Sequence, residues 1–183
     1  VLDQDPLRLL RAVRFAATLG FTVEAATAGE IRARSTLITK PAPERIREEL
    51  FRTLAENGAG RYLLLLESLG LLHPLLPELQ PLRDFAPGKH HRYDILTHSI
   101  RTADYVDAVL DALQSVSPQH GDNLRRHLAE PLEHLIPRTA ALRFACLLHD
   151  LAKAETCSRD AEGDVHFYGH DQVGADRVVG ICR

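Results

Sequence analysis

The sequence predicts an all-α chain built as two helical subdomains. The first covers residues 1–81, a linker follows over 82–92, and the second runs from 93 to 183, with room for one short β-hairpin near 157–167. Three observations carry that reading. Leucine and alanine are abundant while aromatic residues make up only 5% of the chain, a balance that favours helices. Apolar residues recur at three- and four-residue spacing through much of the sequence. An Asp-Pro pair and a series of glycines punctuate those stretches where helices start and stop.

In chain order, Asp5-Pro6 reads as the first helix start, with Asp5 as N-cap and proline at the first helical position, and Gly20 as its end. Leu10, Val13 and Ala17 give that helix its apolar face. Arg8, Arg11 and Arg14 form a stripe on another face. Solvated arginines are the usual outcome of such spacing. The functional alternative is a row of guanidinium forks offered to phosphates or a base edge, with Asp5 at the same end as Arg8. A second helix is expected from about Val23 to Ser35. A third starts near Pro43-Glu44, with Ile46, Leu50 and Leu54 four apart, and breaks at Asn57-Gly58. A fourth covers Arg61 to Leu69 and stops at Gly70, and Leu71 to Glu78 is a short apolar corner in which His73 is structural.

Gln80 to His91 carries two prolines, a glycine and Lys89-His90-His91; histidines beside lysine in a loop are usually solvated. From Ile95 a long helix places Leu96, Ile100, Ala103, Leu110 and Leu113 on its apolar side, with His98 beside that stripe. Ser115 to Asn123 is a loop. Leu124 to Pro137 is a weak charged helix with surface His127 and His134. Thr139 to Ala152 is an apolar helix that ends in His149-Asp150, followed by Lys153. Cys157 to His166 is polar and suits the hairpin. The last helix begins at His170, with Gly174 allowing close approach of another element.

His149-Asp150 organises the second subdomain. Imidazole and carboxylate are common ligands for a catalytic divalent metal, and a site with open positions polarises phosphate or activates water. One adjacent pair cannot close such a site, so His98 and His170 are the candidate additional ligands. A histidine at a helix C-terminus is also favourable in its own right, as is a lysine such as Lys153.

The totals narrow the field. At 183 residues the chain suits one large or two small domains with a real core. The net charge of −3 creates no global attraction for nucleic acid, so any RNA contact must be local. Three cysteines without a CxxC pair argue against a disulfide framework and fit a reducing cytosol. Neither a signal peptide nor a membrane span is visible; Leu63 to Leu66 is too short. Methionine is absent even at position 1, so the chain is expected to be an internal piece of a longer protein.

Asp5-Pro6-Leu7-Arg8-Leu9-Leu10-Arg11-Ala12-Val13-Arg14-Phe15-Ala16 through Leu19-Gly20-Phe21 resembles the neck region of the bacterial tRNA nucleotidyltransferase (CCA-adding) and poly(A) polymerase family. Pro43-Glu44-Arg45-Ile46-Arg47-Glu48-Glu49-Leu50 and the corner from Gly70 to Leu79 are similar to later parts of that region. In the family a Glu-Asp-x-x-Arg motif reads the Watson–Crick edge of incoming CTP or ATP. The resemblance implies that Asp5 and Arg8 are the base readers and that Arg11 and Arg14 contact nucleotide; Gln4 replaces the motif's Glu. A carboxylate accepts from an exocyclic amino group, which CTP and ATP both carry, and an arginine fork donates to ring nitrogen and carbonyl acceptors. The family's magnesium-dependent head precedes the neck and has no counterpart here. The chain is therefore expected to bind nucleotide poorly and to add none. The implied partner is tRNA or another RNA 3′ end.

His98-Ser99, His149-Asp150-x-x-Lys153 and Gly169-His170 to Gly174-Ala175 together resemble the HD superfamily of metal-dependent phosphohydrolases. Many members of the nucleotidyltransferase family carry such a domain after the neck. The resemblance implies a transition metal or magnesium held by His98, His149 and Asp150, with His170 nearby. A closing aspartate is expected beyond Arg183, with Asp171 and Asp176 as weaker substitutes. The implied chemistry is hydrolytic: metal lowers the pKa of water towards ~7 for attack on phosphorus, while Lys153 neutralises developing charge.

Overall fold

The computed structural model describes residues 2–86, 93–133 and 136–182. The Lys89-His90-His91 cluster and His134 lie outside the described residues. The fold is mainly helical, as expected. Helices α1 (Arg8–Leu19), α2 (Ala25–Ala33), α3 (Pro43–Ala55), α4 (Ala59–Ser68) and the short α5 (Leu72–Leu75) form the first half, with 3-10 turns at Ser35–Thr39 and Pro77–Leu82. The second half holds α6 (Ile95–Val116), α7 (Gly121–Ala129), α8 (Arg138–Leu148) and α9 (His170–Ile181). Two small antiparallel strand pairs interrupt it: β1 (Pro131–Glu133) with β2 (Ile136–Pro137), and β3 (Ser158–Arg159) with β4 (Val165–His166).

Several boundaries differ from the sequence expectation for identifiable reasons. Asp5 does not cap α1. Its carbonyl accepts from the Arg8 amide at 3.1 Å and that of Pro6 from Leu9 at 3.0 Å, so a tight turn leads into a helix that becomes regular at Arg8. The Asp5 carboxylate is drawn instead to Arg11, 3.2 Å away, because a guanidinium is a stronger partner than a backbone amide. At the other end Gly20 terminates the helix at φ 67°, in the left-handed region that glycine adopts without penalty.

The helix expected over Leu124 to Pro137 begins earlier, at Gly121, and ends at Ala129. Glu130 precedes Pro131, and a residue before proline is pushed to extended geometry; it sits at ψ 144°. The strand pair that follows was not anticipated. The hairpin of β3 and β4 does fall within 157–167. Gly163 turns it at φ 88°, and the Asp160 carboxylate accepts from the Asp164 amide (2.8 Å) and the His166 ring (2.7 Å). A Cβ added at Gly174 would meet the Cβ of Ala152 at 3.8 Å, an ordinary contact, so the position does not require glycine for close approach.

The two halves share one apolar core. Val13, Leu54, Leu63 and Leu72 from the first half are continuous with Ile100, Ala103, Leu147 and Leu151 from the second. Helix α3 packs on both α1 and α8, α4 packs on α6, and α6 lies along α8. Burying each such leucine fully contributes about 1.5–3 kcal/mol relative to leaving it exposed. Leu82, at the start of the expected linker, is itself buried, and the Phe85 carbonyl accepts from the Ile95 amide at 3.1 Å.

Gly60 sets the approach of α4 to α6, since a Cβ there would collide with the Cβ of Asp104. In an open helix Gly→Ala stabilises by about 1 kcal/mol. Here overpacking should cost about 1–3 kcal/mol and outweigh that gain. Gly60→Ala is therefore expected to lower the urea midpoint. An unchanged or raised midpoint would show that Asp104 yields freely.

Candidate metal centre and arginine-lined cleft

The candidate metal centre is assembled where α6 meets the chain leaving α8. Asp94 caps α6, accepting from the Thr97 amide at 2.6 Å, and so fixes the turn that carries His98. Helix α8 ends at Leu148 rather than at Ala152, and tight turns continue it, with the Leu151 amide on the Leu148 carbonyl and Lys153 on Asp150, both at 3.0 Å. These turns direct the His149 and Asp150 side chains to the same place.

Asp150 lies at the centre, its side chain only 3% exposed. His149 Nε2 is 3.1 Å and His98 Nε2 3.6 Å from its Oδ2. His98, His149 and Asp150 each offer a ligand atom, and these atoms lie within 4.8 Å of one another. His170 Nε2 stands at the edge of the set, 3.9 Å from the other carboxylate oxygen. Asp171 and Asp176 are outside that three-residue set.

The outer hydrogen bonds prepare the rings for coordination. His149 Nδ1 lies 2.8 Å from the Cys146 carbonyl, and His170 Nδ1 2.8 Å from that of Phe167. A carbonyl only accepts, so both Nδ1 atoms carry protons and each Nε2 is turned towards Asp150. Lys153 Nζ is 2.8 Å from the buried Asp150 Oδ2, an ion pair at the oxygen that faces the two rings. A buried carboxylate oxygen paired with Lys153 and flanked by two imidazole nitrogens is a donor set that fits a divalent cation.

Burial alone would raise the Asp150 pKa. His149 and Lys153 outweigh it and hold the carboxyl down at about 2, so it stays ionised. The contact with Asp150 in turn raises the His149 pKa.

A second feature lies about α1 and α3. An open cleft of about 720 Å³ is lined by Arg8, Arg11, Arg14, Glu48, Glu49 and Arg52, among others. Asp5 sits 3.8 Å from Arg8 Nε and 3.2 Å from Arg11. Arg11 Nε and Arg14 Nε both donate to the buried Glu49 carboxylate, at 3.1 and 2.6 Å. The stripe is thus graded. Arg14 is largely sequestered and lies 4.3 Å over the Phe15 ring, while Arg8 remains half exposed beside Asp5. Carboxylate and guanidinium next to each other form a combined acceptor and donor edge.

Glu49 is the cleft residue that sequence reasoning missed. It lies in the quoted Pro43–Leu50 segment, one residue before Leu50 of the apolar stripe, but a glutamate is rarely buried and spacing alone did not reveal its partners. His73 and His127 are exposed, and His127 contacts Arg138 at 3.0 Å. The three cysteines are free. Among the described residues, no helix is long and apolar enough to cross a membrane.

Residues 20–82 match the family described as "Probable RNA and SrmB-binding site of polymerase A". The chain is 36% identical, over 98% of its length, to the A-adding tRNA nucleotidyltransferase of Deinococcus radiodurans. It is 35% identical over 96% of its length to the CC-adding tRNA nucleotidyltransferase of Thermus thermophilus. With the multifunctional CCA protein of Nitrosococcus oceani it shares 31% identity over 98%. The matches take in 37%, 36% and 38% of those proteins, so the chain spans less than two fifths of their length.

Proposed function

We infer that this chain, a homologue of the tRNA nucleotidyltransferases along nearly its whole length, is the neck and HD portion of an enzyme of that family. In this reading the enzyme is cytoplasmic, acts on tRNA or another RNA 3′ end, and selects CTP or ATP at the arginine-lined cleft. The observation that carries it is identity of 36% over 98% of the chain, which leaves neither half unaccounted for.

Asp5 and Arg8 are the base readers, because Arg8 lines the cleft and Asp5 stands beside it with complementary hydrogen-bonding capacity. Glu49 orients Arg11 and Arg14, and Arg11 also holds the Asp5 carboxylate in place. The carboxylate accepts from the exocyclic amino group of cytosine or adenine. Uracil has none, so UTP is rejected.

Ligand-detected NMR at millimolar nucleotide tests this directly. Binding to the chain is weak, with CTP and ATP favoured over UTP by about tenfold, as one well-made polar pair provides about 1–3 kcal/mol of discrimination. Asp5→Ala is expected to remove the preference. Equal binding of UTP to the unmutated chain would sink the base-reading role.

The His98, His149 and Asp150 set favours a second activity in the same protein, phosphohydrolysis of nucleotides or RNA ends, and a stand-alone phosphohydrolase is the alternative reading of the whole. A divalent cation held by those residues, with His170 beside them, would polarise a phosphoryl oxygen and lower the pKa of water. Lys153, fixed by Asp150, places a positive charge where a phosphate substrate gains negative charge.

A further inference from the structure

Helix α6 carries more than His98. Counting from that residue, Arg101 is three positions along and Tyr105 seven. At 3.6 residues per turn, seven positions return to nearly the same face, about 10 Å farther along the axis. Both residues are exposed, Tyr105 by 60%. The Arg101 guanidinium lies 4.6 Å over the Tyr93 ring, and its interaction with Tyr105 raises its pKa. Asp104, the neighbouring acid, is turned to the flank that packs on Gly60.

A cation held over the Tyr93 ring and beside Tyr105, on the helix face that leads to the His98–His149–Asp150 set, is ordered by aromatic neighbours rather than by a carboxylate pair. The strip has the chemistry of a single-stranded nucleic-acid track: guanidinium for a phosphate and an exposed ring for a base. The core does not explain it, because Tyr105 points into solvent. Its position relative to His98 gives it a direction, since a strand entering the centre with its terminal phosphate would lay its preceding nucleotide along α6.

We propose that Tyr93, Arg101 and Tyr105 form an RNA subsite that holds the nucleotide preceding the terminal phosphate at the His98–His149–Asp150 centre. The proposal rests on the phosphohydrolase reading of that centre. Arg101 binds the internal phosphate, Tyr105 stacks on its base, and Tyr93 positions Arg101. The preferred substrate is therefore an oligoribonucleotide end, not a mononucleotide.

The test compares a 2′,3′-cyclic mononucleotide with a tetraribonucleotide ending in a 2′,3′-cyclic phosphate, each assayed with manganese(II). Arg101→Gln should raise KM for the tetranucleotide about tenfold, leave kcat unchanged and leave mononucleotide hydrolysis unchanged. Tyr105→Leu should act similarly and Tyr105→Phe should retain binding. Equal effects on both substrates, or none on either, would overturn the subsite.

A parallel measurement uses fluorescence anisotropy with a labelled tetraribonucleotide 3′-phosphate, which needs no turnover. If neither substrate is hydrolysed, the phosphohydrolase reading fails by itself. Tenfold weaker anisotropy binding by Arg101→Gln would still support the strip as an RNA track, and unchanged binding would eliminate it.

Discussion

His149→Ala is expected to lose the divalent metal that the unmutated chain retains. After equilibration with manganese(II) or zinc(II) and removal of free ion, elemental analysis should find close to one equivalent in the unmutated chain. The variant should bind at least about 100-fold more weakly, since even outer-shell changes cost about 10–100-fold. The physical reason is that Asp150 cannot hold a cation with His98 alone, while Lys153, 2.8 Å from its Oδ2, competes as a built-in cation. Phosphodiesterase turnover should fall with the metal. His149 is over a third exposed and outside the apolar core, so helicity and the unfolding midpoint should change little. His127→Ala, at an exposed histidine elsewhere, is the control. Equal metal content in both variants would refute the centre as built from these residues.

The second large effect concerns stability. Arg143 on α8 is 1% exposed and reaches across the junction between the two halves. Its guanidinium donates to the Leu54 carbonyl at the end of α3 (2.6 Å) and pairs with Asp107 on α6. Asp107 in turn accepts from the Gly58 amide at the start of α4, at 2.6 Å. One buried cation thus ties four helices together.

Arg143→Met keeps volume and removes charge, leaving a carboxylate and a carbonyl without their partner. Breaking a buried pair in this way costs about 3–5 kcal/mol, and the lower end is expected because Asp107 is about a quarter exposed. Urea unfolding monitored by circular dichroism measures it. If Arg143→Met costs under about 1 kcal/mol, the pair is structurally dispensable. Combining it with Asp107→Leu should recover part of the loss, because the double variant leaves no charge unpaired.

Both effects arise from long-range contacts, and they show where sequence reading stops. The ends of α1 at Gly20, of α3 before Asn57-Gly58 and of α4 before Gly70 were legible, because glycine's backbone freedom is a local property. The hairpin within 157–167 was legible for the same reason. His98 was legible as a candidate partner of His149-Asp150 from its residue type, and the resemblance to a known family joined the three, since 50 residues separate His98 from His149. Nothing in the local pattern marks Arg143 within its apolar helix. Nothing in the spacing marks Glu49 as buried. Asp5 reads both as a helix cap and as a neighbour of Arg8; the structure removes the cap and adds the contact with Arg11.

Local chain chemistry thus sufficed for the helical class, most helix ends and the residue types suited to metal and base recognition, because propensity, capping and periodicity act over a few neighbours. The packing of α3 and α4 onto α6 and α8 settled the rest. It decided that Glu49 anchors two arginines, that Asp150 is buried between His149, His98 and Lys153, and that Arg143 joins the two halves. A charge's cost depends on its burial and on partners that folding brings from 35 to 89 residues away, and no local pattern encodes that distance.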